Sequence, residues 1–191
     1  EEVKERFPGR IHALAEANEL TDAEAFAKII EWYDGYRFHQ SAKFVINPVS
    51  LGQCFQKKEF NDYWSNTAVP TFLIDILRKR PLDFSTVGVS ETALNAYEPD
   101  NPQIVTLLYQ TGYLTIKSFK QMGTARRYEL KFPNLEIENS FLDHLVSAYV
   151  GKDFDASTGY AYAAGEALYE HDLPKFIKAL KSFFTDIPYD M

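Results

Sequence analysis

The residues of this chain that could do chemistry are few, and their spacing decides most of what they could do. Pro99-Asp100 followed by Glu129-Leu130-Lys131 spells PD…ExK. In a Mg²⁺-dependent nuclease site the Asp and Glu share the cation and the Lys stabilises developing charge. That geometry needs the two strings on adjoining strands. Here Asp100 precedes an Asn101-Pro102 helix start, so an exposed turn and the polar face of a hairpin is the expectation. A phosphate cradle needs clustered glycines followed by Lys and Ser/Thr, and no GxxxxGK[ST] string occurs. His12, His39, His144 and His171 show no HxxxH spacing, and Cys54 has no CxxC partner. No metal site and no catalytic residue are therefore expected. Nor does a GxSxG turn point to a serine nucleophile.

The strongest charge signal is a short basic run. Lys117, Lys120, Arg126, Arg127 and Lys131 stand against one acid, Glu129, in a chain whose net charge is −7. Overall acidity disfavours a dedicated nucleic-acid binder, because phosphate neutralisation supplies most non-specific affinity. The local run makes Lys117, Lys120, Arg126, Arg127 and Lys131 candidate nucleic-acid contacts all the same.

These residues must be positioned by elements that the pattern also predicts. Thr21-Asp22-Ala23-Glu24 is a capping box, and Phe26, Ile29, Ile30 and Tyr33 follow on one helical face, which Gly35 should end. Lys43–Ile46 reads as a short strand. Asn47-Pro48 starts a helix to about Gln56. Val69, Phe72, Leu73, Ile76 and Leu77 line a helix that closes on Arg78-Lys79-Arg80 and Pro81. Ser90-Glu91 opens a short helix, and Pro102 to Thr111 forms another. Tyr113–Phe119 and Arg126–Phe132 alternate apolar and polar residues around a turn at Gly123, the pattern of a β-hairpin. Helices follow at Asn134–Val150, Thr158–Tyr169 and Asp172–Thr185.

The expected fold is mainly α with a small β-hairpin: a helical lid (residues 1–66), a winged-helix-like unit with its following helix (67–151) and a C-terminal helical hairpin or connector (152–191). The helix that a winged helix would place in a major groove reads PQIVTLLYQT, with Gln103 and Gln110 its only amide readers. No apolar stretch approaches the roughly 20 residues that span a bilayer, and no signal-peptide pattern opens the chain, so no membrane partner and a cytoplasmic setting are expected. The lone cysteine fits a reducing compartment.

Five strings in order carry a family resemblance: Glu31-Trp32-Tyr33-Asp34-Gly35-Tyr36-Arg37-Phe38, Asn47-Pro48-Val49-Ser50-Leu51, Tyr63-Trp64-Ser65-Asn66-Thr67, Leu108–Ile116, and Leu130-Lys131-Phe132-Pro133-Asn134, with Ile187-Pro188-Tyr189-Asp190 closing the chain. Together they resemble the bacterial AAA-ATPase-like family whose members carry a C-terminal PD-(D/E)XK nuclease-like domain. Ala68 and Val49 depart from the usual Gly and aromatic at those places. The resemblance implies an internal fragment, with the P-loop, ATP and Mg²⁺ of the parent upstream and the nuclease-like domain downstream. Its partners would be those parts of the parent chain. It also makes Arg37 a candidate nucleotide sensor reaching a γ-phosphate from the lid; otherwise Arg37 would pair with Asp34 or stack on Trp32 or Tyr36. The resulting expectation is a non-catalytic structural and regulatory segment that couples the ATPase core to the nuclease-like domain. The alternative is a nucleic-acid-binding winged-helix module that uses the basic hairpin 117–131.

Overall fold

The computed structural model describes residues 2–64, 70–96, 103–150 and 154–187. Among them the fold is mainly α with one small antiparallel sheet, as the pattern predicts. The order is α1 (Glu2–Arg6), α2 (Pro8–Ala17), α3 (Asp22–Tyr33), α4 (Pro48–Lys57) and α5 (Thr71–Lys79). Then come a 3₁₀ turn (Phe84–Thr86), β1 (Val87–Ser90), α6 (Glu91–Asn95), α7 (Ile104–Gln110), β2 (Thr115–Met122) and β3 (Ala125–Lys131). Last come α8 (Leu135–Val150), α9 (Phe154–Tyr169) and α10 (Leu173–Asp186).

The chain divides into two compact units. One comprises Glu1–Ala68 with Leu82–Asn139, the other Val69–Pro81 with Ser140–Met191. In the first unit, α2, α3 and α4 bury Ile11, Leu14, Ile29, Tyr33, Leu51 and Cys54 against one another. Thr21 caps α3 as expected: its hydroxyl accepts from the Glu24 amide, and the Glu24 carboxylate accepts from the Thr21 amide at 2.8 Å. Asn47 caps α4 by accepting from Val49 and Ser50.

The sheet has the order β1-β3-β2, every pair antiparallel. Val87, Val89, Ile116, Tyr128 and Leu130 point inward and are buried. The hairpin was legible in the sequence; β1 was not. Its four residues, Val-Gly-Val-Ser, are too short for alternation to stand out, and Gly88 weakens the strand signal. The strand expected at Lys43–Ile46 is reduced to an isolated bridge between Tyr36 and Val45. Gly35 also differs from expectation. Helix α3 ends at Tyr33, and Asp34 is extended, so Gly35 is no left-handed helix cap. It has φ +116°, and a Cβ there would lie 2.0 Å from the Pro133 carbonyl oxygen. Close backbone approach, not helix termination, requires the glycine.

In the second unit, Tyr149 of α8 donates to the Leu77 carbonyl of α5 at 3.1 Å. Helices α9 and α10 pack as a hairpin, with Tyr160 edge-on to Phe183 and Lys175 bridging Glu166 and Glu170 at 2.9 and 2.8 Å. Asp172 caps α10 by accepting from the Lys175 amide.

Candidate functional site

The segment 35–40 is where the sequence strings meet the hairpin. Arg37 lies alongside the start of β2. Its carbonyl accepts from the Ile116 amide at 3.1 Å, and its amide donates to Thr115 Oγ1 at 2.6 Å. The same hydroxyl donates back to the Arg37 carbonyl at 2.9 Å. The guanidinium donates through Nε to the Ile116 carbonyl at 2.9 Å and through Nη2 to the Lys117 carbonyl. Its plane sits over Phe44, 4.6 Å from the ring centroid. The partners are therefore β2 carbonyls and Phe44. Among the described residues neither Asp34, whose carboxylate accepts from the Gly35 amide, nor Trp32 or Tyr36 takes that place. Beyond Arg37, the Phe38 carbonyl accepts from Tyr109 of α7 at 2.7 Å, and Gln40 accepts from the Tyr128 hydroxyl at 3.0 Å. One loop thus fastens the α2–α4 layer to α7, β2 and β3.

The five hairpin cations do not form one cluster. A bulge at Lys117 shifts the β2 register, so that Ser118 faces Glu129 and Lys120 faces Arg127. Lys117 Nζ lies 2.6 Å from Glu129, and the Ser118 hydroxyl donates to the same carboxylate at 2.8 Å. Those bonds hold the Glu129 carboxyl below the usual carboxylate range. Arg126 takes the opposite face and pairs with Glu91 at 2.9 Å. Lys131 approaches the Phe44 ring, 5.9 Å from its centroid. Lys120 and Arg127 remain side by side and exposed; among the described residues neither makes a direct ion pair, though Glu129 attracts Lys120 through space. The Arg127 guanidinium lies over Gly88 of β1, where a Cβ would meet its Nη2 at 2.7 Å. The PD…ExK reading finds no support here: Glu129 is occupied by Lys117 and Ser118, and Asp100 lies outside the described residues.

A buried polar group near the same loop escaped the sequence reading. Glu136 is fully buried in the first turn of α8. Its Oε1 accepts from the Tyr63 and Trp64 amides at 2.8 and 2.9 Å, while Oε2 has no hydrogen-bond partner among the described residues. Burial raises its pKa. The two amides and the nearby Ser50 hydroxyl act the other way, and Asp62 adds to the rise. Leu135 and Ile137 flank it, so a helix-face reading turns Glu136 outward; tertiary packing of residues 61–64 decides otherwise. Tyr36 lies near Asn47, Asn134 and Glu136, and burial raises its hydroxyl pKa. The Cys54 thiol is pushed up to about 11, mainly by burial. A thiol so raised is a core residue and not a nucleophile at neutral pH. Among the described residues no group of three or more His, Cys, Asp or Glu side chains could hold a metal ion, and no helix is long and apolar enough to cross a membrane.

Fold and surface together define a mainly helical chain whose small sheet carries a cationic outer face and whose 35–40 loop joins two layers. Against known proteins, no family model matches and no solved structure matches. The chain is similar to a curated protein of Azotobacter chroococcum mcd 1 described as "Uncharacterized protein in vnfD 5'region", at 34% identity over 168 residues. The match covers 85% of this chain and 32% of that protein, so the chain spans about a third of the length of the relative.

Proposed function

We propose that this chain is a non-catalytic coupling segment of a longer, cytoplasmic AAA-ATPase-like protein. It would join an upstream ATPase core, which binds ATP and Mg²⁺, to a downstream nuclease-like domain. The observation that carries the reading is the fastening of the 35–40 loop to β2, β3 and α7. Gly35 abuts Pro133, Arg37 bonds to Thr115, Ile116 and Lys117, and Phe38 and Gln40 take the Tyr109 and Tyr128 hydroxyls. These bonds tie the segment that follows α3 to the sheet, the route by which a displacement of α3 would reach it. The strand order, with α6 and α7 between β1 and β2, supports the winged-helix-like part of the proposal. Arg37, placed against β2, acts as the clamp through which nucleotide-driven movement passes.

The test uses the full-length parent protein. It should hydrolyse ATP in the presence of Mg²⁺, and Arg37→Ala should slow turnover several-fold while circular dichroism stays unchanged. A full-length protein that neither binds nor hydrolyses ATP, or an Arg37→Ala variant with unaltered turnover, would sink the proposal.

A further inference from the structure

The outer face of the sheet carries a like-charge pair that Glu129 offsets only in part, since its carboxylate is bonded to Lys117 and Ser118 and reaches Lys120 through space alone. Lys120 and Arg127 are direct cross-strand neighbours, an arrangement in which like charges destabilise a sheet. Among the described residues Glu129 is bonded to Lys117 and Ser118, and Glu91 to Arg126. A recess of about 300 Å³ beside the two cations is lined by Thr86, Gly88 and Ser118 and by Glu129, whose carboxylate is held by Lys117 and Ser118. The absence of a side chain at Gly88 lets the Arg127 guanidinium rest flat on β1. That leaves a planar fork whose geometry matches phosphate oxygens, beside a lysine point charge.

We infer that Lys120 and Arg127, with Lys131 further along the same face, form a track for the phosphate backbone of duplex nucleic acid. The shape of the cationic face favours a chain of phosphates over a single one. Arg127 and Lys131 stand four residues apart on β3, roughly 13 Å at strand rise, too far for one phosphate to bridge. Contact is to backbone alone. Helix α7, IVTLLYQ, carries no Lys or Arg to read base edges. The remaining surface is acidic enough to give the chain a net charge of −7, so repulsion elsewhere would orient the duplex onto this face. Arg126, pointing to the other side and bound to Glu91, takes no part. The inference does not depend on the coupling role proposed above.

The experiment is a fluorescence-anisotropy titration of the chain with a labelled mixed-sequence duplex DNA, repeated across salt concentrations. Three phosphate contacts give a slope of log K against log salt of about −2.7, and Lys120→Gln with Arg127→Gln lowers its magnitude by about 1.8. The double variant should lose at least tenfold in affinity at low salt, Arg126→Gln less than twofold, and two unrelated duplex sequences should bind alike. Lys120→Gln alone, an exposed change that leaves Arg127 over Gly88, should take about half the slope change, which keeps the test valid if the double variant folds poorly. No binding by the unsubstituted chain, equal losses for Arg126→Gln and the double variant, or a strong sequence preference would each overturn the inference.

Discussion

Replacing Gly35 with alanine tests whether the loop–hairpin junction is set by contact or merely by turn preference. The added Cβ would sit 2.0 Å from the Pro133 carbonyl oxygen, well over 1 Å inside ordinary contact, and 3.0 Å from its carbon, about 0.5 Å inside it. Neither atom is the end of a flexible side chain, so backbone must move. Overpacking of this kind costs about 1–3 kcal/mol. Holding an L residue at φ +116° adds roughly 1–3 kcal/mol. The reduced freedom of the unfolded chain returns about 0.4–1 kcal/mol, leaving a net loss of about 1–5.5 kcal/mol. Gly123→Ala is the matched control. Gly123 has φ +62° in the hairpin turn, and nothing lies within 4 Å of a Cβ there. Its cost is the left-handed term less the same unfolded-state gain, about 0–1.6 kcal/mol. Urea unfolding followed by tryptophan fluorescence is the assay. Trp32 and Trp64 are the two tryptophans of the chain, and both belong to the unit that contains Gly35 and Gly123. If the two variants fall within about 1 kcal/mol of each other, the argument from the Pro133 contact is wrong.

Other outcomes follow from the same contacts. Tyr33→Phe removes a buried hydroxyl that donates to the Asn61 carbonyl at 3.0 Å and accepts from the Asn61 amide at 3.1 Å; a loss of about 1–3 kcal/mol in urea unfolding is expected, and one below about 0.5 kcal/mol refutes the bridge. For Glu136, the folded-state pKa lies above the unfolded one, so its contribution is fully present below about 4.5 and is lost as pH rises through the folded value. Glu136→Gln keeps an acceptor for Tyr63 and Trp64 without the titration. Its stability profile between pH 4 and 8 should be flatter than that of the unsubstituted chain, and superimposable profiles would contradict the assignment. His12 is raised chiefly by its hydrogen bond to Asp22 at 2.9 Å, with Glu16 adding to the effect. Its contribution is complete below about 6.5 and fades as pH rises through the raised folded value, so unfolding midpoints should drift down from pH 6 to 8. Retention of that drift in His12→Gln would assign it elsewhere.

Where local chemistry decides a feature, the sequence showed it. The Thr21–Glu24 capping box, the Asn47 cap, the alternation of Tyr128, Leu130 and Phe132 with Arg127, Glu129 and Lys131, and the apolar face of α10 are all written in neighbouring residues. What was not legible depends on partners far along the chain. Arg37 meets residues 115–117, Gly35 meets Pro133, and Glu136 meets Tyr63 and Trp64. The five hairpin cations looked equivalent until the bulge at Lys117 and the acids Glu91 and Glu129 sorted them into two faces. The Asn101-Pro102 start falls outside the described residues, and α7 begins at Ile104 with Gln103 before it.

The position of Arg37 also bears on solubility. Strand β2 is an outer strand of the sheet, and an open edge invites another chain to add a strand. The Ile116 amide and carbonyl and the Lys117 carbonyl are the groups such an intruder would bond first, and one residue occupies all three with its own main chain and guanidinium. Removing that side chain uncovers the Ile116 and Lys117 carbonyls as well as loosening a clamp. Self-association by edge pairing is then the hazard to watch in Arg37 variants, and it would appear as concentration-dependent growth in light scattering before any change in helix content.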